Sequence, residues 1–172
     1  SPVCSPARAS FWTGRRPSQH GVHDYIDEDR DPDPDRWLAD EVTLPELLGD
    51  AGYTTGMAGK YHCGRGHEEA VFDWTANMHA EDWDVSKFSV ERDRRIVDHA
   101  TRFLRETAGA EPFFLSVGLT ATHGPWEGEP ERLVERHRGS EFDEVPDEET
   151  YRFGRSDVID LEDPDEALAP YY

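Results

Sequence analysis

The run PFFLSVGL, residues 112–119, constrains the fold more than any other part of the chain. It is almost continuously apolar, without the alternation expected of a strand that has one wet face. It therefore reads as a central strand buried on both faces of a sheet. Directly upstream, residues 90–107 predict a helix. There Ile96, Val97, Ala100, Phe103 and Leu104 form one apolar stripe, arginines and acids take the other faces, and Gly109 lies just past the end. A second short buried strand is expected in YTTGMA, residues 53–58, after a helix that ends near Gly52. Thr43 and Glu46 have capping-box spacing at the start of that helix, and Pro45 sits inside its first turn. Residues 6–13 predict a further short helix, with Pro6 in the first turn and Gly14 as its stop. Helix and strand alternating in this way predict an α/β domain with a mostly parallel sheet flanked by helices.

The core of such a domain must come from few segments, because only 35% of the 172 residues are apolar. The length suits one domain. Acids number 38 against 18 basic residues, giving a formal charge of −20. They concentrate in DEDRDPDPD and EFDEVPDEE, which read as solvated loops. Lys60 and Lys87 are the only lysines. An acidic, lysine-poor surface fits a protein kept soluble in high salt, and with no basic stripe it excludes nucleic acid as a partner. Two cysteines make no disulfide framework, no segment is long and apolar enough to span a membrane, and no repeat is visible. The chain starts in mid-motif without an initiating methionine. Its true N-terminus, with any targeting segment, is thus expected upstream, and cytoplasmic and secreted locations both stay open.

Functional groups in open α/β sheets gather at the carboxyl ends of strands. GMAGKYHCG leaves one strand with Lys60 and His62 two residues apart, which an extended backbone would point to the same side. SVGLTATHGPW leaves the other with His123 in a loop bounded by glycine and proline. Cys4 lies at the amino end of the first helix, where unpaired N–H groups and the helix dipole favour negative charge, and Arg8 follows one turn later. Such a setting stabilises a thiolate or an oxyanion. From the residues alone, Cys4 is a nucleophile beside an anion site of Arg8, Lys60, His62 and His123, suited to hydrolysis or transfer of an anionic group. His20 and His23 are assigned supporting or structural roles, and His67 and His79, flanked by acids, are expected at the surface.

These same segments resemble the type I, formylglycine-dependent sulfatase family. CSPARASFWTGR resembles its signature, a Cys-x-Pro-x-Arg core followed by Thr-Gly-Arg; GYTTGMAGKYHCG resembles its second signature, which leads into Gly-Lys-Trp-His; and EPFFLSVGLTATHGPW resembles a later strand and its His-x-Pro turn. The resemblance covers about residues 1–126. It implies an alkaline-phosphatase-like α/β fold, incomplete in this chain. Residues 1–172 would be a partial catalytic domain that lacks the first strand and the C-terminal half, inactive when expressed alone.

The resemblance also implies a mechanism. A maturase converts Cys4, within the recognised Cys4-Pro6-Arg8 core, to formylglycine. The hydrated aldehyde supplies one hydroxyl to attack the sulfur of a sulfate ester and a second to release sulfate. Arg8 would hold the modified side chain, and Lys60 would bridge it to the sulfate. His62 would assist deprotonation of one hydroxyl, and His123 would contact the sulfate and protonate the leaving oxygen. A divalent cation, calcium with magnesium as the alternative, would be bound by Cys4 as formylglycine and by aspartate pairs that this chain lacks. The substrate would be a small-molecule or carbohydrate sulfate ester. Ala7, Trp12, Tyr61, Cys63 and Thr122 depart from the usual family residues, and the changes at Tyr61 and Cys63 are expected to be matters of packing. The alternatives are a formylglycine-dependent phosphate or phosphonate ester hydrolase and an inactive, acidic binding module that keeps the fold.

Overall fold

A computed structural model describes residues 3–27, 30–33, 36–64, 66–77, 90–109, 112–121, 123 and 130–139. His79, Lys87, Thr122, Trp126 and the acidic run EFDEVPDEE lie outside the described residues. Contacts divide the chain into two units, Ser1–Trp83 with Arg94–Leu119, and Asp84–Asp93 with Thr120–Tyr172.

The first unit is built on three parallel strands, β1 (Thr54–Gly59), β2 (Trp74–Asn77) and β3 (Phe113–Gly118), in the order β2-β1-β3. Helices α1 (Cys4–Thr13), α2 (Pro17–His20) and α3 (Leu44–Asp50) precede β1, α4 (His67–Val71) joins β1 to β2, and α5 (Val90–Thr107) precedes β3. The expected parallel sheet is thus present, and α5 has the bounds its apolar stripe predicts. The α3 capping box also forms, with the Glu46 carboxylate accepting from the Thr43 N–H at 2.8 Å and its hydroxyl at 2.6 Å.

Alternating side chains of β1 serve two cores. Met57 joins Ala9, Trp12, Val22, Ile26, Leu38, Tyr61, Cys63 and Phe72, whereas Ala58 packs with Ile96 and Ala100 of α5. The α5 stripe is narrower than its sequence suggests. Ile96, Ala100 and Phe103 are buried, but Val97 and Leu104 are 48% and 40% exposed because they flank the line of contact. Phe103 lies directly over Gly56, where a Cβ would come within 2.6 Å of its ring. Asp73 fastens β2 to β1 by accepting from the Thr55 N–H at 2.8 Å and its hydroxyl at 3.0 Å.

Among the described residues β1 lies between β2 and β3, and the open side of β3 leaves Phe113 and Val117 40% and 44% exposed. One expectation is corrected. The first helix begins earlier than predicted, at Cys4, because Pro6 is tolerated anywhere in a first turn that needs no intrahelical N–H bond.

Gly59 and Gly118 face each other at the carboxyl ends of β1 and β3. The Lys60 N–H donates to the Gly118 carbonyl at 2.8 Å. A Cβ on Gly59, whose φ is +94°, would strike that carbonyl, and one on Gly118 would strike the Lys60 backbone. Gly59→Ala should therefore destabilise the full-length protein by about 3 kcal/mol, from backbone strain and overpacking together. Gly49, helical and with open space around it, is the control: Gly49→Ala should be neutral or stabilising by about 0.5 kcal/mol. Denaturant unfolding of both variants measures the difference.

In the second unit the described residues include the first turn of α5, the stretch Thr120–Ala121, His123 and α6 (Glu131–Val134). No helix among the described residues is long and apolar enough to cross a membrane.

Candidate active site

Cys4 occupies the first helical position of α1, after Val3 in extended conformation. The amides of this turn have no acceptor within the helix, so the helix end favours an anion. Ala9 and Trp12 anchor α1 in the core, Trp12 by stacking on Tyr61 with centroids 5.5 Å apart. Arg8, one turn after Cys4, donates through Nη1 to the Lys60 carbonyl at 2.6 Å. This bond ties the first signature to the second. Burial pushes the Arg8 guanidinium below its ordinary pKa, and the Cys63 and Cys4 sulfurs oppose that shift.

Lys60 follows β1 and is buried, as is His62. The expected alternation does not align them, because β1 ends at Gly59 and His62 has a φ of +60°. The His62 ring is instead set by contacts. Its Nε2 lies 3.0 Å from the Ile26 carbonyl, and the Tyr25 ring meets it edge to face at 4.9 Å. The Ile26 N–H donates to Ser5 Oγ at 3.1 Å, and Cys63 Sγ approaches the Ser5 carbonyl at 3.8 Å. Cys4, Arg8, Lys60 and His62 are thus linked within one unit.

His123 lies in the other unit and is exposed. Its N–H donates to the Thr120 carbonyl at 2.9 Å. Asp93 holds the start of this turn, accepting from the Thr120 N–H and hydroxyl, both at 2.7 Å, and from the Ala121 N–H at 2.8 Å. Neither Asp93 nor the Ser5–Ile26 pair stands out in the sequence. Their partners lie more than twenty positions away, and a backbone carbonyl leaves no residue-type signal.

His67 is not the surface residue expected from its acidic neighbours. Its Nδ1 lies 2.8 Å from the Tyr61 hydroxyl, the rings stack, and burial lowers its pKa. Tyr61 and Cys63 are buried in the core beside Trp12. His20 is buried too, in a structural setting. Its Nδ1 accepts from the Val22 N–H at 3.2 Å, so the proton of the neutral ring sits on Nε2 and points to Ser10 Oγ at 3.0 Å.

Burial lowers the His20 pKa, with Glu41 opposing and His23 assisting. The unfolded chain consequently binds more protons than the folded one below the ordinary histidine value. This contribution to stability is complete above about pH 6.5 and declines as pH falls from there toward the lowered folded value. His20→Asn, which keeps an acceptor for Val22, should flatten the dependence. Thermal midpoints of the full-length protein at about pH 7.5 and pH 5.5 would show a smaller difference for the variant than for wild type.

Among the described residues no three histidines, cysteines, aspartates or glutamates gather as a metal site. The divalent cation implied by the sequence resemblance does not fit these residues alone.

A family model described as Sulfatase matches residues 1–160. Bovine (Bos taurus) arylsulfatase A is 45% identical over 69 residues, covering 40% of this chain and 13% of that protein. Human N-acetylgalactosamine-6-sulfatase is 27% identical over 163 residues, covering 73% of this chain and 31% of that protein. The structure of BT4656 in complex with its substrate D-glucosamine-2-N,6-O-disulfate superposes with a TM-score of 0.55 at 24% identity, over 80% of this chain and 28% of that one. The chain therefore spans less than a third of the length of each. The α/β fold with a parallel sheet expected from the sequence is shared with the BT4656 structure.

Proposed function

The chain belongs to the sulfatase family, and on that premise we propose that the full-length protein hydrolyses sulfate esters through a formylglycine made from Cys4. The observation that carries the proposal is the Arg8–Lys60 bond, which joins the helix that starts at Cys4 to the lysine after β1. As formylglycine, position 4 supplies a hydroxyl nucleophile and, in the same group, a second hydroxyl for release of sulfate.

The chain's own residues serve that group. Arg8, fixed by its bond to the Lys60 carbonyl, holds the side chain at position 4. The Lys60 ammonium, compact enough to sit between two oxygens, bridges that side chain to the sulfate. His62 accepts a proton from the attacking hydroxyl, and His123 donates one to the leaving oxygen. The divalent cation enters no step here, since the described residues do not gather to hold it. A maturase that recognises Cys4, Pro6 and Arg8 is part of the proposal. So is a sulfate ester substrate of small-molecule or carbohydrate type, supported by the sulfated sugar bound to the superposed structure.

Turnover of matched sulfate and phosphate esters by the full-length protein tests this reading. Preference for the sulfate ester is expected. Preference for the phosphate ester would assign the site to the other ester class, and inactivity on both would reject the proposal.

A further inference from the structure

The pose of His62 is imposed from outside its own backbone. A φ of +60° is an uncommon conformation for a non-glycine residue, so the ring is held there by its surroundings. The partner of Nε2 is the Ile26 carbonyl at 3.0 Å. A carbonyl oxygen can only accept, so the neutral imidazole carries its proton on Nε2 and keeps the lone pair on Nδ1. The Ile26 carbonyl can fix that choice only if Ile26 itself is fixed. Its side chain is buried in the core, and its N–H donates to Ser5 Oγ at 3.1 Å. Ser5 is fully buried, sits next to Cys4 in α1, and receives Cys63 Sγ on its carbonyl at 3.8 Å. One residue beside the nucleophile position thus reaches both Ile26, which orients His62, and Cys63, which follows His62 in the chain.

We propose that Ser5 is a positioning residue which, through Ile26, holds His62 in the Nε2-protonated tautomer and leaves Nδ1 as the proton acceptor of the reaction. This rests on the sulfatase reading above. Removing the hydroxyl strands the buried Ile26 N–H and frees its carbonyl, so the Nε2–H loses the acceptor that favours a protonated ring.

The test compares wild type, Ser5→Ala and Ser5→Thr in the full-length protein, with rates expressed per formylglycine counted by peptide mass spectrometry. Ser5→Ala should lower kcat roughly tenfold with little change in KM, the scale of one stranded buried donor. It should also move the acid limb of the kcat profile to lower pH, because the base loses a partner that stabilises its charged form. Ser5→Thr, which restores a hydroxyl, should recover both. Wild-type turnover per formylglycine in Ser5→Ala, or a fall with an unmoved acid limb, would overturn the proposal. Histidine 15N shifts of the wild-type protein read the tautomer without any variant. Nε2–H at His62 is expected, and Nδ1–H would overturn the proposal even if the variants fail to fold. Absence of formylglycine and of turnover in wild type would instead reject the sulfatase reading, leaving the tautomer measurement to judge this one.

Discussion

Cys4→Ala in the full-length protein should lower sulfate ester turnover by about four orders of magnitude or more, the scale on which losing a nucleophile acts in a covalent mechanism. Arg8, Lys60 and His62 keep their positions in this variant. Arg8 is fixed by the Lys60 carbonyl and His62 by Ile26, and neither bond involves the Cys4 side chain. Substrate binding should therefore survive, so the loss belongs in kcat, with KM nearly unchanged. Stability should change by less than about 1 kcal/mol, since Cys4 is only partly buried and α1 is anchored by Ala9 and Trp12. Initial rates and a thermal melt of the same preparation measure both. Residual turnover within about a hundredfold of wild type would mean that the nucleophile is not at position 4.

Lys60→Ala should cost at least about a hundredfold in kcat, the scale of one preorganised electrostatic contact to a developing charge. The backbone bonds at this position, from the Lys60 N–H to Gly118 and from Arg8 to the Lys60 carbonyl, do not depend on the side chain. The loss therefore reports the ammonium. Lys60→Arg should fail to restore activity, because the site is buried and a planar guanidinium cannot occupy the place of a point charge between two oxygens. Near-wild-type kcat in Lys60→Arg, set beside Lys60→Ala in the same assay, would contradict the bridging role.

What was legible in the sequence was local or periodic. The α5 stripe repeats with the helix, the Thr43–Glu46 box is read within one turn, and the β1 run is apolar enough to mark a strand. β2 and α4 were missed because WTAN is short and mixed in character, and HEEAV carries no stripe long enough to establish a period. The strand order β2-β1-β3 was illegible because it depends on pairing between distant segments. At the site, Cys4, Arg8, Lys60 and His62 were visible as residue types beside expected strand and helix ends. The way Lys60 and His62 come together was not, since the backbone leaves the extended form at Gly59 and turns left-handed at His62. His67 misled for a related reason. Acidic neighbours suggest water, yet the Tyr61 hydroxyl, six residues earlier in the chain, bonds its ring.

The proposed hydrolysis stands or falls on the chemical identity of residue 4 in the working protein. Mass spectrometry of the peptide containing Cys4, from full-length protein produced in its native host and probed with a hydrazine, measures it directly. The aldehyde of formylglycine is predicted at position 4, with the hydrazine adduct on that residue. Cys4 recovered only as an unmodified thiol would rule out a formylglycine nucleophile.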